Sequence, residues 1–158
     1  MAISTTQSIW RSGGGDNTRT AYAGTGVMAA QFYIDGSTAA GTSVKVSSAS
    51  GAPAVVLPAG AIITEIQANC AATGGTTPTF DMGFTIYGTS TASNTALISA
   101  AVATTGKLVI NQASATAGTS MGAAMNTTNL VTITGGGTSG DAPTGGSITG
   151  TILYYVTD

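Results

Sequence analysis

The sequence contains no histidine, a single cysteine (Cys70), four basic and six acidic side chains among 158 residues. Without histidine, the Ser–His and Cys–His pairs of nucleophilic catalysis are excluded, and so is any His-ligated metal centre. One cysteine cannot form a disulfide within the chain, and a thiolate zinc site needs more thiols. Four basic residues and a pI near 4.6 leave little to neutralise phosphates, so no nucleic-acid partner is expected. The longest uncharged stretch, between Asp81 and Lys107, is interrupted throughout by Gly, Ser, Thr and Asn. It does not read as a membrane span, and no membrane partner is expected. Met1 to Trp10 has neither a basic n-region nor an apolar h-region, so the chain is expected to be made in a cytoplasm.

What fills the chain instead is small residues. Thr (29), Ala (26), Gly (23) and Ser (15) make up almost three fifths of it, yet Ile and Val together number 21. A net charge of −2 and a positive mean hydropathy separate the chain from disordered sequences, which combine low hydrophobicity with high charge. The balance points to β-structure with a modest core and a neutral Thr/Ser surface.

Strand signals begin at Val27. The run Val27 to Ile34 closes on Asp35-Gly36, a turn signal. Shorter runs follow at Ser43–Ser47 and Val55–Leu57, the latter stopped by Pro58-Ala59-Gly60. From Ile62 to Cys70 the even positions (Ile62, Thr64, Ile66, Ala68, Cys70) read as a buried face and Glu65, Gln67 and Asn69 as a wet one. Phe80, Met82, Phe84 and Ile86 share one face of the next strand and are expected to be the centre of the core. Gly74-Gly75 between these two strands allows a hairpin with a long loop. Further strands are expected at Lys107–Asn111, Asn129–Thr134 and Ser147–Thr157. In Asn94–Thr104, Leu97, Ile98, Ala101 and Val102 are spaced to suit either a short helix or an irregular edge. Eight or nine short strands joined by Gly-rich connections predict one all-β domain, a jelly-roll-like β-sandwich over residues 25–158. Gly-Thr-Ser recurs at residues 41, 88, 118 and 137 at uneven spacing, which is composition and not a repeat.

No constellation carries catalysis. The carboxylates Asp16, Asp35, Glu65, Asp81, Asp141 and Asp158 are scattered singly, three of them beside Gly or Asn. Turn and strand-surface roles are expected for them. Cys70 lies in phase with an apolar face and reads as a buried, inert thiol. A Ser–Lys pair is conceivable only through Lys45 or Lys107, and nothing else supports one. Gly135 to Gly140 is Gly-rich but lacks the Lys of a phosphate-binding loop. No cofactor, metal or small-molecule substrate is expected, and the chain does not read as an enzyme.

Residues 1–24 read as an extended N-terminal arm with a break at Gly13-Gly14-Gly15. The arm holds the only tryptophan, Trp10, beside Arg11, with Arg19 beyond the break. A tryptophan with nearby arginines is a common interface anchor, so Trp10, Arg11 and Arg19 are the interface candidates. Too apolar-poor to fold alone, the arm is expected to reach another chain; lying on its own domain is the alternative.

From Val55 onward the pattern becomes familiar. It runs VVLPAGAIITEIQANC, then GGTTPTFDMGF, NTALISAAV, and NLVTITGGGTSGDAPTGGSITGTILYYV. The turn before the alternating strand, the Gly/Thr loop, the Ala142-Pro143-Thr144-Gly145 turn and the closing Tyr155-Val156 pair resemble small virion structural proteins of tailed bacteriophages. That resemblance implies a head decoration (cement) protein or a fibre-associated protein. Such a protein would be a trimeric β-sandwich on the capsid exterior, with the major capsid protein and further copies of itself as partners. Where such chains often carry an Asp-rich connection, this one has Gly88 to Asn94 without a carboxylate, so no cation site is implied there. A receptor- or glycan-binding module of a tail fibre or cell surface is the alternative, with Tyr22, Tyr33 and Tyr87 as candidates. An ice-binding surface, prompted by the threonines, would need a Thr-x-Thr period that the sequence does not have.

Overall fold

The computed structural model describes residues 26–37, 43–74, 76–88, 92–103, 106–134 and 143–157. Among them are eight strands: β1 (Met28–Asp35), β2 (Val56–Leu57), β3 (Ala61–Thr73), β4 (Thr79–Ile86), β5 (Ala92–Val102), β6 (Gly106–Asn111), β7 (Asn129–Thr134) and β8 (Gly145–Val156). They form two four-stranded antiparallel sheets, sheet 1 in the order β1-β8-β3-β6 and sheet 2 in the order β2-β7-β4-β5. The first strand pairs with the eighth, the second with the seventh, the third with the sixth and the fourth with the fifth. The chain is thus one long antiparallel hairpin rolled over on itself, which is the jelly-roll arrangement expected from the sequence. The arm, its boundary with the β-domain, and Trp10, Arg11, Arg19 and Tyr22 lie outside the described residues.

The inner faces of the two sheets make one core. Phe80, Ile34, Leu57, Ile63, Ile66, Met82, Leu97, Ile98, Ile110, Ile148 and Ile152 are fully buried in it. Burying each such side chain contributes about 1.5–3 kcal/mol. The expected face of β4 is confirmed at Phe80 and Met82. Phe84 and Ile86, however, are only partly buried, with Phe84 packed against the rim of the core. They lie towards the end of the strand, where burial falls off.

Four other expectations are corrected. In β3 the register shifts between Ile63 and Glu65, so the inward phase changes there. Ala61 and Ile63 point in before the bulge; Ile66, Ala68, Cys70 and Ala72 do so after it. Ile62 is half-buried and Thr64 exposed, its hydroxyl donating to the Leu153 carbonyl. An extra residue in one strand inverts every side chain beyond it. Next, β3 and β4 do not form a hairpin. β3 is paired on both edges, by β8 and β6, and the chain crosses to sheet 2 after Gly74. Ser43–Ser47 is not a full strand but a stitch between the sheets. The Tyr33 amide donates to the Lys45 carbonyl on one side, and the Val44 amide donates to the Val131 carbonyl on the other.

The last correction concerns Asp81, which is not on the surface. It is 6% exposed, and its Oδ1 accepts the Ala100 amide at 2.5 Å. Ala100 belongs to β5, the segment that read as helix or irregular edge. It is an irregular edge strand, with register shifts against β4 on both sides of Met82. The inserted residues displace Leu97, Ile98 and Ala101 from strict alternation, which is why their spacing imitates a helix. Ala100 sits at φ 52°, a left-handed conformation that costs a non-glycine residue about 1–2 kcal/mol. Asp81 therefore satisfies the amide of a strained bulge. Ala100→Gly should relieve the strain at a smaller entropic cost of about 0.5–1 kcal/mol. The melting temperature is expected to rise by about 2–4 °C; a lower one would show that the bulge is relaxed.

Candidate functional site: the outer face of sheet 1

Alternation along the four strands of sheet 1 sends one set of side chains into the core and the other outwards. The pairing registers align the outward set in rows across the sheet. One row is Tyr33, Thr149, Asn69 and Lys107; the next is Gln31, Thr151, Gln67 and Val109; a third brings Leu153 beside Glu65 and Asn111. A shallow open depression of about 450 Å³ lies on this face, lined by Gln67, Asn69, Lys107, Val109, Thr149 and Thr151. Its chemistry is amide and hydroxyl, with one ammonium. The Gln67 side chain donates to Glu65 Oε1 at 2.5 Å and so occupies that carboxylate.

On the inner side of β8, Gly150 sits directly over the Phe32 ring. A Cβ there would collide with the ring and with the Gln67 carbonyl. Glycine lets β1, β8 and β3 run close together, and the ring fills the space that a side chain would take.

The remaining candidates divide plainly. Tyr33 is half-buried on the outer face of sheet 1, whereas Tyr87 is 63% exposed on the turn after β4 in sheet 2. The structure does not bring the two rings onto one face. Cys70 points into the core, and burial pushes its thiol from the ordinary 9.0 up to about 11. The thiol is therefore protonated at neutral pH and unreactive. Asp35 has the turn role expected of it. Its Oδ1 accepts the Ser37 hydroxyl at 2.6 Å and the Ser37 amide at 2.9 Å, and these bonds hold its carboxyl below the ordinary value. Among the described residues no group of three or more Cys, Asp or Glu could hold a metal ion. The sequence reading missed the amide-hydroxyl rows. Alternation marked Gln67 and Asn69 as outward, but nothing local showed that β8 and β6 flank them.

No protein-family model matches the sequence, and no curated protein matches it. Among solved structures, the fold is similar to a chain of the capsid of Ralstonia phage GP4. The TM-score is 0.54 at 20% identity, covering 85% of this chain and 87% of that one. Nearly the whole length of this protein thus shares its fold with a chain found in a phage capsid.

Proposed function

We propose that the protein is a non-enzymatic structural component of a phage virion. In this reading it is a decoration protein that binds the outer capsid surface and bridges neighbouring major capsid subunits. The observation that carries the proposal is the jelly roll shared over 85% of the chain with a chain of a phage capsid. The sequence resemblance of Val55–Asp158 to tailed-phage virion proteins points the same way. The unit is a homotrimer on the capsid exterior, made in the host cytoplasm. Its arm carries the contacts of Trp10, Arg11 and Arg19 to neighbouring chains. A surface with so few charges suits dense packing of identical copies, where like charges would repel one another.

Physically, a decoration protein works by mass action. It binds the assembled shell and not its separated parts, so each occupied site stabilises the assembled state. Bridging two subunits adds the effective concentration of the second contact. Particles assembled without the protein are expected to release their DNA at a lower temperature and under milder osmotic shock. A fluorescent dye that reports exposed DNA during a thermal ramp measures this directly. Equal resistance with and without the protein would remove the decoration role.

One observation favours the glycan-binding alternative: the row that places Tyr33 across from Thr149, with Asn69 one strand further on the same outer face. Binding of the isolated protein to a glycan array separates this reading from the first.

A further inference from the structure

Carboxamides gather on the outer face of sheet 1. Gln31, Gln67, Asn69 and Asn111 all stand exposed at its outward register positions, and Gln112 follows directly after β6. Thr149 and Thr151 run between them on β8. Carboxamides and hydroxyls each donate and accept hydrogen bonds, so such a face matches a ligand whose own groups do both. The depression over Gln67 and Thr151 is joined on this face by a second, of about 440 Å³, beside the β3 bulge. Ile62, Thr64, Asn111, Gln112 and Tyr155 line it. Tyr154 packs against the core, so alternation sends its neighbour Tyr155 outwards, across from Ile62. Tyr33 stands at the other end, across from Thr149. The two tyrosine rows are thus separated by the six residues from Thr149 to Tyr155 along β8, about 20 Å.

Charge selects among ligands. The described charges of this face are Lys45 across from Tyr33, Lys107 across from Asn69, Asp35 and Glu65, two of each sign. Both carboxylates are engaged within the chain, Asp35 by Ser37 and Glu65 by the Gln67 side chain. The two lysines close opposite ends of one row, four strand spacings apart, about 19 Å. An acidic ligand therefore meets no pair of converging cations among the described residues. A wholly apolar ligand would strip water from the carboxamides without replacing its hydrogen bonds. A neutral polyol satisfies both conditions. Its hydroxyls take the place of water on the amide and threonine groups, and the C–H faces of its rings suit tyrosines, which join an apolar ring to a polar tip. We propose that the outer face of sheet 1 binds a neutral, linear oligosaccharide, laid along β8 from the Tyr33–Thr149 row to the Ile62–Tyr155 row. The inference deepens the glycan-binding alternative by giving it a site, a ligand class and a direction, and it does not depend on the capsid role.

The test is affinity electrophoresis of the full-length protein in native gels containing dextran, galactomannan or hydroxyethyl cellulose as neutral probes, and polygalacturonate as an acidic one. Retardation by at least one neutral polymer is expected, with less by polygalacturonate. Tyr155→Ala and Asn69→Ala should each weaken it about tenfold, whereas Tyr87→Ala, on sheet 2, should leave it unchanged. Melting temperatures confirm that the variants are folded. A second measurement needs no variant: on titration with oligosaccharides of the retarding polymer, the side-chain amide resonances of Gln67, Asn69 and Asn111 should shift and that of the exposed Asn126, outside this face, should not. Retardation that survives both outer-face substitutions, or that is lost in Tyr87→Ala, overturns the site and leaves the glycan-binding reading standing. Stronger retardation by polygalacturonate overturns the ligand class alone. No retardation by any of the four polymers overturns the proposal and the glycan-binding reading together, whatever the protein does on a capsid.

Discussion

Phe80→Ala is expected to cost about 3–5 kcal/mol, the lost transfer energy of the ring plus the cavity it leaves. Phe80 is fully buried and heads the large buried side chains of the core. It sits on β4, which is paired on both edges by β5 and β7, so the surrounding strands have little freedom to collapse inwards. For a domain of ordinary stability, about 5–15 kcal/mol, that loss removes a large part of the whole. Phe84→Ala, at the rim of the same face, should cost clearly less, because part of its ring is already in water. Urea titration of the two variants measures both. Equal losses would mean that the rim is as tightly packed as the centre, and a negligible loss at Phe80 would displace the core from β4.

Gly150→Ala should also be destabilising, although it adds a single methyl group. That methyl meets the Phe32 ring and the Gln67 carbonyl at once. The ring can rotate away, but the carbonyl is fixed in the pairing of β3 with β8, so the strands themselves must separate. Overpacking of this kind costs about 1–3 kcal/mol, occasionally more. Combining it with Phe32→Leu should recover part of the loss, since the ring is one of the two obstacles, and the remainder measures the backbone clash. A Gly150→Ala protein with an unchanged melting temperature would show that β1, β8 and β3 are not as close as described.

What could be read from the residues alone was the local part of the fold. Phe80 and Met82 declared their face by alternation, and Asp35-Gly36 declared its turn. The failures have physical causes. Ile62 and Ile63 are both apolar, so no residue type marks the bulge at which β3 changes phase. Leu97, Ile98 and Ala101 are spaced by inserted bulge residues that a periodicity cannot distinguish from a helical turn. Gly150 falls within the expected strand Ser147–Thr157, but nothing local shows that the Phe32 ring lies beneath it. The rows of the outer face needed long-range pairing, Gln67 with Thr151 and Asn69 with Thr149, which no local pattern encodes. Asp81 was misread because its partner, the amide of Ala100, is a backbone group made available by strain.

The rolled hairpin also sets an order of events during folding. Its tip, β4 with β5, joins strands that are close in the chain and meets only a small loop-closure cost. Each successive pair outwards closes a longer loop, and the last, β1 with β8, joins the first strand to the last. β8 is nevertheless the strand between β1 and β3, so sheet 1 has no centre until it arrives. While the chain is still emerging from the ribosome, β1 and the inner face of β3 must wait without their partner. Folding of such a topology is slow and dominated by distant contacts. The scarcity of long continuous apolar runs, and the threonines and serines that interrupt them, then serve a second purpose: they keep the waiting strands from pairing with those of other nascent chains.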